Sequence, residues 1–375
     1  MKNVLIVYHY IAHYRFPIFN LLSKSEDPKY TILSGIESDI NIKKVDEHLL
    51  NISGSEGGIK WLKVNNYWIL RYFLFQPGAI KYSFSKQYDT IIYLGNMYYL
   101  STWIGAIVAK FTNKKVVFWT HGFIREEKNF QGFLRVIFYK LADEILVYGQ
   151  RAKNILVTKG FSENKISVVY NSLDYDRQLK VRNDILTEEK LEIFKDNELP
   201  VFGFIGRLTK QKRTDLLVEV LYEINKGNYK ANLLIIGDGD QMSSLKNKVV
   251  ELNLDNHVVF YGPCYDERII GQLMQLIKVV VSPGEVGLTA IHALCYGVPV
   301  ITHNRFDKQM PEYEAIVEGE TGAFFDYYNP SESLIIILKD WLFNKNKIQI
   351  KQNCYKVIDD CYNPYTQKTI FDSVV

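Results

Sequence analysis

Four cysteines are spread through 375 residues: Cys264, Cys295, Cys354 and Cys361. No pair has the spacing of a zinc site or a redox dithiol, and nothing suggests a disulfide framework. A reducing compartment fits that usage. No apolar stretch reaches the roughly 18 residues that a membrane-spanning helix needs. The opening residues MKNVLIVYHY hold too short an apolar run for a secretory signal and no small-residue cleavage site. The chain is therefore expected in the cytoplasm, with at most peripheral contact with the inner face of the membrane. Net charge is also small, +3.

That small total hides an asymmetry. Residues 1–170 carry 22 Lys+Arg against 13 Asp+Glu, and the remainder carries 23 against 29. A basic first half suits an anionic partner, and membrane headgroups, lipid-linked phosphates and nucleic acid all qualify. Hydrophobic content of 47% and charged content of 23% describe a soluble globular protein. The length exceeds one ordinary core, so two domains are expected.

The stretch VVVSPGEVGLTAIHALCYGVPVIT, Val279 to Thr302, organises the second half. Val279–Val281 suit a strand buried on both faces. Ser282, Pro283 and Gly284 break it. Leu288, Ile291, Leu294 and Cys295 then share a helical face, and Gly297 and Pro299 end that helix before Val300 and Ile301. A helix that starts just past a buried parallel strand points its free N–H groups at the crevice where such sheets bind ligands. Those groups favour an anion, most often phosphate.

The rest of the chain alternates in the same way. Strands are expected over 2–8, 30–34, 88–94, 115–119, 144–148 and 166–170, with helices over 16–22 and 99–111. Residues 35–58 read as irregular. Lys60 to Phe75, KWLKVNNYWILRYFLF, mixes rings with cations, as the headgroup layer of a bilayer favours. Trp68 to Leu74 is apolar nearly all round, so a core helix is the preferred reading. His9, His13 and Arg15 fall in the loop after the first strand, and His121 directly follows another, both binding positions in an open parallel sheet. Asn171 and Asp174 lie just past the last strand of this half. After a charged linker, strands at 201–205, 233–236 and 258–261 alternate with helices at 215–225, 245–252 and 269–276. Another helix is expected from Tyr365 to the end. The pattern gives two parallel-sheet α/β domains.

Arg207 and Lys212, in the run GRLTKQKR, sit in one loop at a strand's carboxyl end. Two cations there would clamp a diphosphate. The blander reading of KQKR is a solvated face or a nucleic-acid patch. Asp238-Gly239-Asp240 looks like a pair of metal ligands, but a tight glycine turn after a strand explains it as well. Gly237 and Gly239 mimic a dinucleotide fingerprint that lacks its third glycine.

GRLTKQKRTDLLVEVL, LLIIGDGDQMSSLK, VVFYG and SPGEVGLTAIHALCYGVPVITH, with FWTHG and VVYNSLD earlier, fall in the order seen in glycosyltransferase family 4. The chain resembles a divergent branch of that family. The resemblance implies a GT-B fold: two Rossmann-like doubly wound domains facing a cleft. It implies an acceptor domain over 1–180, a donor domain over 195–355, and a last helix over 356–375 crossing back to the first domain. Carried over by position, Arg207 and Lys212 match the pair that holds the donor diphosphate. Gly287, Leu288 and Thr289 match the backbone that cradles phosphate and sugar, and His121 matches a histidine near the donor sugar. The expected donor side also takes in Gly206, Gly237, Tyr261, Glu285, Val286 and His292. His9, His13, Arg15 and His121 form the expected acceptor side. His121, Arg207, Lys212 and Glu285 are the expected catalytic group.

The chain departs from the family at two places. The two glutamates usual in the central stretch fall at Gly284 and His292. Glu285, one residue later, is expected to replace the first at the sugar hydroxyls, and His292 the second at the ribose. The usual glycine-rich loop after the first strand is absent.

The resemblance implies a retaining hexosyltransferase that moves a sugar from a nucleotide-sugar, UDP expected, to a saccharide acceptor. The acceptor is expected to be lipid-linked, in O-antigen or capsule synthesis. The leaving diphosphate is expected to take the acceptor proton, with no protein nucleophile, no cofactor and no metal. Nucleic acid is not an expected partner. A sugar-nucleotide epimerase shares the fold, and a non-catalytic subunit is a further alternative.

Overall fold

The computed structural model describes residues 1–36, 43–50, 58–127 and 129–375. The irregular segment expected over 35–58 lies partly outside the described residues. The chain forms two compact units, residues 1–174 with 362–375, and residues 175–361.

The first unit is a parallel sheet of seven strands among the described residues. They are β1 (Asn3–Tyr10), β2 (Lys29–Gly35), β3 (Trp61–Lys63), β6 (Thr90–Leu94), β7 (Lys115–Thr120), β8 (Glu144–Val147) and β9 (Ile166–Val168), after a separate pair, β4 (Tyr67–Ile69) and β5 (Phe73–Phe75). The order β3-β2-β1-β6-β7-β8-β9 places β1 near the middle. Its residues Val4–Val7 are buried because neighbours and helices cover both faces. Helices α1 (Phe16–Ser23), α2 (Pro77–Ser83), α3 (Leu100–Phe111), α4 (Phe130–Tyr139) and α5 (Gln150–Thr158) connect these strands.

Lys60 to Phe75 is not the core helix that its ring content suggested. Trp61–Lys63 joins the sheet beside β2, and β4 pairs antiparallel with β5, Trp68 opposite Leu74. The turn between them uses Leu70 and Arg71 at φ 52° and 61°, closed by Tyr72 N–H on the Ile69 carbonyl at 3.2 Å. Two successive left-handed residues make the hairpin turn whose twist matches paired strands. Such turns usually announce themselves with Asn or Gly, and this one carries neither.

The second unit opens with α6 (Tyr175–Asp184). Its sheet has the order β12-β11-β10-β13-β14-β15. The strands are β10 (Val201–Ile205), β11 (Asn232–Ile236), β12 (Val258–Gly262), β13 (Ile277–Ser282), β14 (Val300–His303) and β15 (Gly322–Phe325). The helices are α7 (Asp215–Lys226), α8 (Met242–Glu251), α9 (Glu267–Leu276), α10 (Thr289–Cys295), α11 (Pro330–Phe343) and α12 (Lys347–Asp360). All neighbouring strands are parallel, with Val201 opposite Asn232 and Val280 opposite Val300. Asp266 caps α9, accepting from the Arg268 N–H at 2.9 Å.

Helix α13 (Pro364–Ser373) returns to the first unit. Asn363 caps it on the Thr366 N–H at 2.9 Å, and Pro364 fits its first turn. Phe371 meets Trp119 edge-on, at 4.9 Å between centroids. Gln367 donates to the Tyr170 carbonyl at 3.0 Å, and Tyr30 donates to Asp372 at 2.7 Å.

Candidate functional site

In the second unit the named residues gather where β10, β11, β12 and β13 end. Parallel sheets bind ligands at that end. Gly206 follows β10 with φ 147°, and its N–H reaches the Ile236 carbonyl at 3.0 Å. Leu208 N–H reaches the Asp238 carbonyl at 2.9 Å. The two loops are so close that a Cβ on Gly237 would overlap the Gly206 oxygen, and one on Gly239 the Leu208 oxygen. That close approach accounts for both glycines in the Asp238-Gly239-Asp240 turn. Tyr261, near the end of β12, is exposed.

Arg207 is exposed. Lys212 closes a 3-10 turn and donates to the Glu285 carbonyl at 2.7 Å, with the Glu285 carboxylate at 3.7 Å. It is therefore not the free cation that the sequence suggested: part of its charge is answered within the site. Burial, helped by Arg207, holds its amine below the ordinary lysine value, against Glu285 and Glu312. Glu312, buried in the turn Pro311–Ala315, was not singled out from sequence. No local motif marks it, because only folding brings it toward Lys212.

Gly284 explains one departure from the family. Its N–H meets the Lys212 carbonyl at 3.1 Å, and a Cβ there would overlap the Gln211 carbonyl oxygen. No glutamate fits at 284 with the lysine turn in this place. Glu285 stands beside it, partly exposed, with its backbone holding Lys212.

Thr289 ties α10 to β10, its hydroxyl donating to the Ile205 carbonyl at 3.2 Å. Gly287 sits at φ 51°, and Leu288 is the N-cap. Val286 needs correction as a donor contact. Its side chain is buried and its N–H is taken by Gln309 Oε1 at 2.9 Å. Gln309 in turn donates to Thr302 at 2.8 Å and to the His303 carbonyl at 3.1 Å, so it fixes the loop from behind.

His292 likewise differs from expectation. Its Nε2 lies 2.9 Å from Glu267 Oε1, on α9, so the ring meets a carboxylate rather than standing open for a ribose. Tyr296 and Gln178 donate to the same oxygen at 2.7 and 3.1 Å. Burial acts to raise the Glu267 pKa, but hydrogen bonds and charge from His292, with Tyr296 and Gln178, prevail and hold it at about 2. No local pattern marks Glu267, since it lies 25 residues from its partner.

In the first unit His9, Arg15 and His121 come together around the ends of β1, β7 and β8. Arg15 is buried, not an open loop cation. Its Nη1 donates to Asn171 at 2.7 Å and its Nη2 to Tyr148 at 2.9 Å, with the guanidinium 4.9 Å from the Trp119 ring. His121 packs against Tyr148 at 4.6 Å between centroids. Burial, then the Arg15 charge, lowers His121 to about 4 and His9 to about 3. Both rings are thus neutral at pH 7. Each leaves its Nδ1 buried without a hydrogen-bond partner among the described residues. His13 stands apart, exposed, with its Nδ1 3.0 Å from the Lys43 carbonyl. Tyr148 was not anticipated, because a tyrosine after an apolar strand reads as core.

Among the described residues, no helix is long and apolar enough to cross a membrane.

Residues 187–356 match the family model described as glycosyl transferases group 1, and residues 53–177 match glycosyltransferase family 4. A protein of Klebsiella pneumoniae, described as an uncharacterized 41.2 kDa protein in the cps region, is 30% identical over 241 residues. That match covers 61% of this chain and 63% of the relative. The chain spans under two thirds of the curated relatives it matches. Among solved structures, the apo lipopolysaccharide outer core galactosyltransferase WaaB superposes with a TM-score of 0.71 at 18% identity, covering 100% of this chain and 99% of that one. Anabaena Alr3699/HepE in complex with UDP superposes with a TM-score of 0.70 at 18% identity, with the same coverage. At those identities the likeness establishes the two-sheet GT-B fold.

Proposed function

We propose that this chain, which belongs to the GT4-type glycosyltransferases, moves a sugar from UDP-sugar to a lipid-linked saccharide in bacterial surface-polysaccharide assembly, with retention of configuration. The observation that carries the reading is the meeting of Gly206, Arg207, Lys212, Glu285 and Thr289 at the ends of β10 and β13. The cps-region relative supports the polysaccharide setting, and the UDP-bound neighbour supports the nucleotide.

In this reading the donor diphosphate sits against Arg207 and the first N–H groups of α10. Lys212 keeps its bond to the Glu285 carbonyl, which aims it, while phosphate replaces the more distant carboxylate contact. As the glycosidic bond to phosphate breaks, negative charge builds on the leaving group. Fixed cations and N–H groups stabilise that charge more than they stabilise the bound substrate. The leaving phosphate accepts the acceptor hydroxyl proton. Glu285 meets sugar hydroxyls.

A lipid-linked acceptor fits the surface of the first unit. Leu100, Ile104, Ile107 and Phe111 form an exposed stripe along α3, and Phe130, Phe133 and Ile137 form another along α4. Trp103 and Phe138, 4.8 Å apart, join the two helices. Leu70, 77% exposed, and Arg71 form the hairpin tip, and β5 bonds to the loop before α3 through Leu74 N–H on the Tyr98 carbonyl. Apolar side chains on a basic half suit an anionic membrane surface.

The test is release of UDP and transfer of label from UDP-glucose, UDP-galactose and UDP-N-acetylglucosamine to lipid extracts of a polysaccharide-producing bacterium. Acceptor-dependent UDP release with an α-linked product is expected. Conversion of the nucleotide-sugar without acceptor would make the chain an epimerase. Tight UDP binding without turnover on any of these would leave a non-catalytic subunit.

A further inference from the structure

The second unit carries a cavity of about 270 Å³, and Tyr296, which donates to Glu267, forms part of its wall. Its lining includes Ile277 and Lys278 at the start of β13, and Val298 and Pro299 just before β14. The candidate donor loops lie at the other ends of these same strands. We propose that this cavity is a second ligand site, for a phosphorylated sugar or polyol.

Three features on its wall define that chemistry. The first is unanswered positive charge. Five lining residues are cations. Arg182 is paired with Asp359 at 3.2 and 3.1 Å, Lys345 lies 3.4 Å from Asp340, and Lys278 donates to the Leu342 carbonyl at 2.8 Å. Lys190 and Lys351 have no carboxylate partner among the described residues. The carboxylate in the lining, Glu188, is engaged by Arg268 and by Gln272, the latter at 2.7 Å. Burial, with Arg182 and Lys190 nearby, pushes the Lys351 amine below its ordinary value. A phosphate dianion between Lys190 and Lys351 would remove that mutual repulsion.

The second is an acceptor without a donor. Gln275 gives its amide N–H to the Ile185 carbonyl, while its Oε1 is buried and has no hydrogen-bond partner among the described residues. A buried acceptor left open costs free energy, and a small turn of this side chain toward the cavity would let a ligand hydroxyl recover it. The third is the wall itself: Met274, Ile277 and Ile350 with the rings of Tyr296, Trp341 and Tyr355. Rings beside aliphatic side chains suit the C–H face of a sugar. Phosphate, hydroxyl and C–H face together describe a sugar phosphate better than any one alone. The cavity volume also accommodates a molecule of that size.

Calorimetry on the full chain tests this with glucose 6-phosphate, inorganic phosphate and glucose as separate probes. Saturable one-to-one binding of glucose 6-phosphate is expected, at least tenfold tighter than either fragment, and unchanged by saturating UDP. Lys190→Gln with Lys351→Gln should weaken it tenfold or more. Gln275→Leu should bring glucose 6-phosphate down to the affinity of phosphate. Lys190 lies exposed on irregular chain, so Lys190→Gln alone serves if the double variant does not fold. Absence of saturable binding, equal affinity for phosphate, displacement by UDP, or indifference to Lys190→Gln would overturn the assignment. Only binding is read, so failure here is separate from failure of the transferase reading.

Discussion

At the scale of single residues, the site rests on charges that are partly answered before any ligand arrives. Arg207 is exposed at the end of β10, whereas Lys212 is aimed by a carbonyl. Arg207→Ala should therefore lower kcat about 100-fold, the usual cost of one transition-state contact, with the thermal midpoint little changed; steady-state kinetics and a melt check both. Gly284→Glu would restore the family's usual residue and yet should destabilise the second unit by about 1–3 kcal/mol, as overpacking does. The reason is the Gln211 oxygen already in that space. Denaturant unfolding reads the loss, and a variant as stable as the parent would contradict this packing.

The two half-buried histidines set a pH dependence of stability. His121, at about 4, remains neutral in the fold where the unfolded chain, near 6.5, takes up a proton. Stability is therefore full above about pH 6.5 and falls as pH drops from there toward 4. The slope approaches 1.4 kcal/mol per pH unit for each such ring. His121→Gln should flatten that slope in urea titrations run between pH 7 and 4.5, leaving the part due to His9.

At the scale of elements, the β4–β5 hairpin and the α3 and α4 stripes matter most. A left-handed Leu70–Arg71 turn places a large apolar side chain in solvent, an arrangement that folding alone does not reward. Ile104→Glu with Phe111→Glu should abolish sedimentation with phosphatidylglycerol vesicles, and 0.5 M salt should weaken the parent's binding. The changes face outward, so the melting temperature should hold. Sedimentation unaffected by both changes would remove the membrane from the proposal.

At the scale of the whole molecule, a ligand that binds only the folded chain raises its stability. UDP at about a hundred times its dissociation constant should add about 2.7 kcal/mol, seen as a raised melting temperature, with TDP, GDP and ADP giving less. Under the proposed mechanism transfer should persist in EDTA, because Arg207, Lys212 and the α10 N–H groups would supply the positive charge. Activity lost in EDTA and restored by magnesium would require a bound cation instead.

The sequence by itself determined the alternation of buried strands and helices, since apolar runs such as Val279–Val281 fit only a sheet covered on both faces. It also determined that Arg207 and Thr289 lie at strand carboxyl ends, because a residue just past a parallel strand has nowhere else to be. Tertiary structure alone decided what long-range contact controls. It put Glu267 on His292, buried Arg15 against Asn171, closed Gly284 to any side chain and turned Lys60–Phe75 into strands. Periodicity reports which face of an element is apolar, whereas these outcomes depend on which distant backbone or carboxylate occupies the same few ångströms.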